Sequence, residues 1–321
     1  MLDALSRLLQ DVRPEGALFD RSTLRPPWSL RIVEAAPLTL LTMLGGDAWL
    51  RPDGGEPIRL RTRDVAMVVG TEPYEVADSP DTTPQVLVHD ARRCTTPDGR
   101  VVDERISMCR ADADPARSTV LLKGTYLVRS SVARRVLTAL PRIAVVPADP
   151  AGSPTMQMIA RELGRDKPGQ QVVLDRLLDL LLVATLRDWF DRPGTRAPHW
   201  YRAHADPVVG PALRLLHDDP AHPWTVATLA GKVGVSRAAL AKRFTELVGQ
   251  PPMAYLAAWR TCLAADLLRQ TDATVDAIAR QVGYANGYAL SVAFKRTQGV
   301  RPSEHRAASR TPVPERGAAV P

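Results

Sequence analysis

Two cysteines, Cys94 and Cys109, flank a segment that the turn sequence Pro97-Asp98-Gly99 predicts to be a hairpin. If paired strands place the thiols opposite each other, a reversible disulfide is expected, or a soft metal ion held with His89. Three arginines would lower the thiol pKa where their guanidinium groups lie nearby: Arg92, Arg93 and Arg110. Two unconnected small residues, one of them buried, are the alternative interpretation.

Catalytic residue clusters are not evident elsewhere in the sequence. There is neither a glycine-rich phosphate loop nor a nucleophile elbow, and the acidic pairs fall in turn segments without a partner base. His89 is the only histidine before residue 199, so a histidine-rich metal site cannot form in that part of the chain. Three cysteines in 321 residues do not make a disulfide framework. We therefore predict a protein that is not an enzyme and binds no metal or cofactor.

The C-terminal third contains two similar stretches, 225–244 and 274–294, whose first residues lie 49 positions apart. Each begins with a threonine, a good helix N-cap, before a run with helical period. An alanine then precedes a glycine by four residues in both: Ala230 and Gly234, Ala279 and Gly283. The alanine lets a second helix cross closely, and the glycine accepts the left-handed backbone that ends the first. This spacing predicts two helix-turn-helix units.

A connecting helix is predicted between the two units, starting at Met253 after two prolines. Its inner face is expected to contain Leu256, Trp259 or Arg260, Leu263 and Leu267. A rigid connection would hold two recognition helices for successive major-groove turns, about 34 Å apart. Residues 205–310 hold 13 Lys and Arg against 8 Asp and Glu, net +5, whereas the remaining 29 against 27 give +2. A helical bundle that binds only protein is the alternative.

Residues 25–147 have the pattern of a β domain. Short alternating runs separated by turn residues predict an antiparallel sandwich or barrel. The runs are Trp28–Val33, Leu38–Met43, Ala48–Arg51, Ile58–Leu60, Val65–Val69, Val86–His89 and Thr119–Leu122.

Helical spacing begins near residue 154 and predicts helices over 155–163 and 171–190. The second is apolar on more than one stripe, so we expect one face to pack on the β domain and the other on a second subunit. A core helix of a single domain is the alternative. Four prolines and two glycines in 191–212 indicate an interdomain linker, and residues 311–321 are expected to be a disordered tail.

The predicted domains are therefore a β domain over 1–150, a helical dimerisation segment and linker over 151–204, and a helical domain over 205–310. No stretch reaches the roughly 20 apolar residues that span a membrane. The first residues lack the apolar core of a signal peptide. We expect a cytoplasmic protein that does not interact with membranes.

Residues 224–306 resemble the DNA-binding domain of the AraC/XylS family of bacterial regulators, over about a quarter of the chain. The segments that carry the resemblance are Gly283-Tyr284, Phe294-Lys295-Arg296 and Gly299–Arg306. The resemblance implies a transcription regulator that binds promoter DNA with two recognition helices. By position, these run from Ser236 to about Val248 and from about Asn286 to Thr297.

The resemblance also implies which residues face the groove: Arg237, Ala238, Ala241 and Lys242 in the first helix, and Gly287, Tyr288, Ser291 and Val292 in the second. Lys242 is expected to donate to guanine and Ser291 to bond either base class. The alanines and Val292 are expected to contact thymine methyl groups.

Phosphate contacts are expected from Arg243, Lys295 and Arg296, and from the helix N-termini at Ser236 and Asn286. The second helix is less polar than is usual for the family. We therefore expect the first helix to dominate base reading and the second mainly to position the protein on the duplex.

Residues 25–147 resemble the cupin-type ligand-binding domain found in one branch of this family. The segment Leu60–Tyr74 matches a cupin hairpin that ends just before the barrel mouth, with Tyr74 where a metal-binding histidine often stands. The expected fold class is α+β: an N-terminal β-rich cupin-like barrel, a helical connector and dimerisation segment, and a C-terminal all-α domain with two helix-turn-helix units.

The leading hypothesis is a homodimeric, sequence-specific regulator whose N-terminal domain senses a small-molecule effector or a redox signal. Double-stranded promoter DNA, a second copy of the chain, the effector and RNA polymerase are the expected partners. Two alternatives stay open. One is a cupin-type small-molecule enzyme with an accessory nucleic-acid-binding domain, and the other is a protein that binds duplex DNA without sequence preference.

Overall fold

The structure is a computed structural model that describes residues 20–89, 93–102, 119–128, 130–165 and 167–310. These residues divide into two compact units. The β unit holds 20–89, 93–102, 119–128, 137–165 and 167–197, and the helical unit holds 198–310 together with 130–136. In the described part of the chain, no helix has both the length and the apolarity that crossing a membrane requires.

The strands of the β unit form two sheets. Their bounds are β1 Asp20–Leu24, β2 Ser29–Ile32, β3 Leu38–Gly45, β4 Ala48–Pro52, β5 Ile58–Leu60, β6 Val65–Val69, β7 Tyr74–Ala77, β8 Val86–Val88, β9 Cys94–Thr95, β10 Val101–Val102, β11 Thr119–Tyr126 and β12 Ile143–Val146. One sheet has the order β1-β11-β3-β6-β12, and the other the order β10-β9-β8-β2-β7-β4-β5. All neighbouring strands are antiparallel except β2 and β8, which are parallel.

A buried apolar cluster takes side chains from both sheets. Leu41 and Met43 on β3 belong to the same buried cluster as Leu30 on β2, Leu50 on β4 and Val76 on β7. The predicted bounds of β5 and β6 are confirmed, because both segments combine β-branched residues with flanking turn residues. The β-rich architecture that the sequence predicted is therefore confirmed.

Strand β7 was not predicted, because its four residues include Glu75 in the middle of a buried stretch. The register places Glu75 between Arg31 on β2 and Arg51 on β4. Arg31 donates to its carboxylate at 2.8 Å, and Arg51 pairs with the other oxygen. Glu75 is thus buried with both neighbours paired to it, the condition under which a buried charge is tolerated. The residue pattern of β7 alone does not reveal these partners, because they lie on two other strands.

Two helices complete the β unit, α2 Pro154–Leu163 and α3 Gln170–Phe190, close to their predicted bounds. The Tyr126 hydroxyl on β11 donates to the Leu178 carbonyl of α3 at 2.9 Å. Gly124 allows this approach, because a Cβ there would lie 3.3 Å from both δ carbons of Leu178. One face of α3 therefore packs on the sheet, as predicted. Three apolar residues stay exposed: Val172, Val173 and Leu180.

The helical unit contains α1 Ser131–Leu137, α4 His199–Ala203, α5 Val209–Asp218, α6 Val226–Lys232, α7 Arg237–Val248, α8 Pro252–Gln270, α9 Val275–Val282, α10 Gly287–Gln298 and α11 Pro302–Arg310. All of α1 except Leu137 lies in this unit, although its sequence falls between β11 and β12 of the β unit. The helix α1 was not predicted.

A buried carboxylate on α8 fixes the start of α1. Asp266 accepts a hydrogen bond from Ser130 Oγ at 2.9 Å and one from the Ser131 backbone N–H at 2.7 Å, and it also pairs with Arg269. An apolar face of α1 is buried as well: Val132, Ala133 and Val136. These contacts join residues about 135 positions apart in sequence.

Helix α4 lies inside the segment 191–212 that was interpreted as a linker. Trp200 and Ala203 are buried, and α4 packs against α7. The division between the two units falls between Ala197 and Pro198 rather than at residue 205. The two apolar side chains of α4 explain the difference, because they gain burial only in the helical unit.

Candidate nucleic-acid interface

The first helix-turn-helix unit consists of α6 and α7. Thr225 caps α6 by accepting from the Thr228 backbone N–H, and Thr228 returns a hydrogen bond in a capping box. Gly234 follows α6 with a left-handed φ of 73°, as the alanine-glycine spacing predicted. Leu240 and Phe244 on α7 are fully buried. These contacts fix α7 against α6 and leave its other face exposed.

The second unit, α9 and α10, repeats this construction. Thr274 caps α9 through the Ala277 N–H, and Gly283 ends α9 with a φ of 91°. Leu290 and Phe294 of α10 are fully buried in a cluster with α8 and α9. Both units therefore present a second helix whose inner face is fixed by a leucine and a phenylalanine four residues later.

The exposed face of α7 contains most of the residues predicted for the first recognition helix. Ser236 caps the helix by accepting from the Ala239 N–H at 3.2 Å, and Arg237 and Ala238 follow it at the exposed N-terminus. Ala241 is half-buried. Lys242 is exposed, with Glu246 at 4.0 Å as a weak ion-pair partner. This face offers cationic donors beside small side chains that leave a base edge accessible.

Arg243, predicted to contact phosphate, has an internal partner. Its guanidinium binds Asp206 with nitrogen-oxygen distances of 2.7, 3.0 and 3.1 Å. Asp206 also accepts from the backbone N–H groups of Val208 and Val209 at the start of α5. The hydrogen bond from Arg243 lowers the pKa of Asp206. Arg243 therefore holds α7 to the segment between α4 and α5 in this structure.

The exposed face of α10 is apolar in its first two turns and cationic near its C-terminal end. Tyr288 is 81% exposed and Val292 54% exposed, and they lie four residues apart on one side of the helix. Lys295 and Arg296 are exposed near the C-terminal end. Asn286 caps the helix by accepting from the Ala289 N–H at 2.9 Å. This surface suits contact with methyl groups and sugar rather than donation to base edges.

Two residues predicted to face the groove make contacts within the protein. Gly287 is buried, and its N–H donates to Asp276 Oδ1 on α9 at 2.7 Å. A Cβ at Gly287 would lie 3.0 Å from the same oxygen. The half-buried Ser291 donates its hydroxyl proton to the Gly287 carbonyl at 2.7 Å. Gly287 thus packs closely against α9, and the Ser291 hydroxyl already donates a hydrogen bond within α10.

The residues that orient the recognition helices were not predicted from the sequence. Asp206 and Asp276 each bind a recognition helix from outside it, and Arg260 of α8 contacts the loop before α6. Their signal in the sequence is weak, because an acidic residue near a helix start has an ordinary capping interpretation. Arg260 was considered only as an alternative to Trp259 on the inner face of α8. The structure buries Trp259 and leaves Arg260 half-buried.

The predicted redox pair lies only partly in the described residues. Cys94 is buried in β9, and the neighbouring Thr95 is hydrogen-bonded to His89 Nε2 at 3.0 Å. Cys109 lies outside the described residues. Cys262, on α8, is also buried, and burial raises its thiol pKa. A raised pKa disfavours the reactive thiolate, so Cys262 is suited to packing.

Comparison with protein families identifies both parts of the chain. A family described as cupin matches residues 3–191, and one described as a helix-turn-helix domain matches residues 229–308. The chain is similar to two AraC-like transcription regulators. The one from Streptomyces lividans is 35% identical over 87% of this chain and 90% of its own length. The one from Streptomyces antibioticus is 34% identical over 81% and 84%, respectively.

Among solved structures, the helical unit is similar to the DNA-binding domain of AdpA, a global transcriptional factor, in complex with a target DNA. The identity is 31%, with 35% of this chain and 99% of that chain covered and a TM-score of 0.33.

Proposed function

Because the chain belongs to the family of AraC-like transcription regulators, we propose that it binds promoter DNA with the exposed faces of α7 and α10. The observation that carries this assignment is the pair of helix-turn-helix units, each with one buried and one exposed face on its second helix. A regulator of this construction reads base edges with the exposed face and holds phosphates with helix N-termini and nearby cations. Chromosomal DNA as the target gives a cytoplasmic site of action.

The two helices have different proposed roles. On α7, Arg237 and Lys242 are the donors available for guanine, and the small residues between them allow close approach. On α10, Tyr288 and Val292 contact thymine methyl groups or sugar, while Lys295 and Arg296 hold phosphates. The first helix then supplies most of the hydrogen-bonded base reading, and the second supplies apolar contact and position.

We propose that the cupin domain acts as a sensor and not as a catalyst. Relatives that cover 81% or more of this chain are named regulators. A cavity of about 330 Å³ lies beside β2, β8 and β10, a size that accommodates a small ligand. Its lining mixes six apolar residues with four polar ones, one of them charged: Leu24, Pro27, Trp28, Leu30, Val86 and Val102, with Arg25, Ser29, Gln85 and Thr96. An effector bound there should slow hydrogen exchange in β2 and β8; an effector that protects neither strand argues against this cavity.

Dimerisation is proposed through α3. Its buried face packs on the sheet, while Val172, Val173 and Leu180 remain 62%, 43% and 51% exposed. A second copy of the same helix would remove these side chains from water, and a two-fold dimer would present two pairs of recognition helices to a promoter. RNA polymerase is the further partner expected at an activated promoter. Sedimentation of the purified chain as a monomer at micromolar concentration would contradict the dimer.

The test of DNA binding starts from duplexes that the purified full chain selects from genomic fragments. Lys242→Ala should weaken binding to the selected duplex by about 1–3 kcal/mol, because Lys242 is the exposed cation best placed to donate to a base. The matched control is Lys167→Ala, which removes an exposed lysine from the β unit. Equal binding of selected and random duplexes by the unmodified chain would refute sequence-specific recognition, and unchanged binding by Lys242→Ala would refute the role of Lys242.

A further inference from the structure

Three segments of the helical unit meet at one side chain, Arg260, in the middle of the connecting helix α8. Its Nε donates to the Pro220 carbonyl at 2.7 Å, and its Nη2 donates to the His222 carbonyl at 2.8 Å. The same guanidinium lies over the ring of Tyr284, 5.8 Å from the centroid. Arg260 thus contacts the loop that leads into the first helix-turn-helix unit and the turn of the second.

The loop that receives these hydrogen bonds is itself well braced. The His222 N–H donates to Asp219 Oδ1 at 3.1 Å, and Trp224 Nε1 donates to the Asp219 carbonyl at 2.9 Å. The ring centroids of His222 and Trp224 are 4.3 Å apart. The loop ends at Thr225, the N-cap of α6. A shift of its carbonyls would therefore move the start of the first unit.

The turn of the second unit lies directly against the same loop. Gly283 has a φ of 91°, and a Cβ there would lie 2.8 Å from both Ala221 Cα and the Ala221 carbonyl oxygen. It would also lie 2.8 Å from Cζ of Arg260. Gly283 is therefore required twice, for its backbone conformation and for this close approach. The turn of the second unit is therefore packed directly against the loop that leads into the first unit.

Arginine is the residue type that suits this position. Its planar fork donates to two carbonyls in fixed directions while its face stacks on an aromatic ring, and lysine offers only one flexible point charge. Burial lowers the pKa of Arg260, and the ordinary value is so high that the group stays charged. Loss of the guanidinium leaves the carbonyls of the half-buried Pro220 and the exposed His222 with one donor fewer each.

From this geometry we propose that Arg260 is a positioning residue that sets the separation of the two recognition helices. The operator then contains two groups of contacted base pairs, one for α7 and one for α10, which we call the two base clusters. The protein binds both clusters only when they lie at one fixed spacing. The proposal rests on the proposed function, since it requires that α7 and α10 engage the same duplex. It adds a prediction that base contacts alone do not make, namely that spacing preference depends on a residue that touches no DNA.

The experiment measures the affinity of the full chain for the selected operator and for versions with one base pair inserted or removed between the two base clusters. Each change moves one cluster by about 3.4 Å along the axis and rotates it by about 34°. The unmodified chain should lose about tenfold or more in affinity, as for a lost base contact. Arg260→Met keeps the aliphatic stem but not the guanidinium group. For this variant, the affinity lost on changing the spacing should be threefold or less.

The control is Arg280→Met, which removes an exposed arginine from α9 and should keep the unmodified spacing profile. A uniform loss at every spacing in Arg260→Met would show a merely structural role and overturn the proposal. If Arg260→Met does not fold by circular dichroism, Arg260→Lys, which keeps charge and stem, answers the same question by the same criterion. If the unmodified chain selects no duplex, the proposed function fails rather than this inference.

Discussion

The two recognition helices have similar buried faces, whereas their exposed faces differ. In α7 and α10 alike, a leucine and a phenylalanine four residues apart are fully buried, and a polar residue caps the N-terminus. Outside, α7 presents Arg237 and Lys242, whereas α10 presents Tyr288 and Val292. Packing constrains the buried positions, so similar scaffolds hold both helices, while the exposed positions are free to suit different parts of the duplex.

The two helices also differ in what orients them. An ion pair between Arg243 and Asp206 ties α7 to the segment that precedes its own unit. A hydrogen bond from the Gly287 N–H to Asp276 ties α10 to the first helix of its unit. The orientation of α7 therefore depends on residues between α4 and α5, while that of α10 depends on α9 and on its buried contacts with α8.

The largest expected effect concerns the shared interior. Phe244→Ala and Phe294→Ala should each destabilise their helix by about 3–5 kcal/mol, because each removes a fully buried ring from a packed core. Hydrogen exchange of α7 and α10 in the full chain measures the local opening free energy. Comparable losses of opening free energy in the two variants would show that the two phenylalanines stabilise their helices equally. A loss below about 1 kcal/mol in one variant would show that the two interiors are not equivalent.

The next effect distinguishes the surfaces. Val292→Ala should weaken operator binding by about 1 kcal/mol, because it removes methyl groups that would pack on a thymine methyl group. Replacing the contacted thymine by uracil should cost the unmodified chain a similar amount and the variant almost nothing. Titration at several salt concentrations should show the same slope for Val292→Ala as for the unmodified chain, since no charge is removed.

The third effect is smaller and tests the ion pair on α7. Asp206→Asn keeps an oxygen for the N–H groups of Val208 and Val209 but weakens the hold on Arg243. Arg243 then becomes available to a phosphate, so affinity for any duplex should rise and the salt slope should steepen by about one. Asp218→Asn removes an exposed carboxylate of the same unit as a control. An equal shift in both variants would show a general charge effect.

The bounds of the two recognition helices were predictable to within one residue. The predicted first recognition helix, Ser236 to Val248, corresponds to α7 after its N-cap, and the predicted second, Asn286 to Thr297, corresponds to α10. Caps, a glycine with left-handed backbone and a leucine-phenylalanine spacing are all encoded within a few neighbouring residues. The short strand β7 was missed because the partners that make a buried glutamate tolerable lie on two other strands.

The sequence alone determined that two helix-turn-helix units exist, that they follow a β-rich cupin domain, and that the chain is a DNA-binding regulator. Each of those conclusions depends on short-range patterns or on resemblance. Tertiary structure decided which side chains remain available for DNA. It engaged the Ser291 hydroxyl, buried Gly287 and paired Arg243 with Asp206. It also placed Arg260 between the two units and fixed α1 on Asp266. Apart from the Ser291 bond to Gly287, which spans four residues, these contacts join residues 11 to 135 positions apart. No periodicity in a single segment records which distant partner a polar side chain will meet.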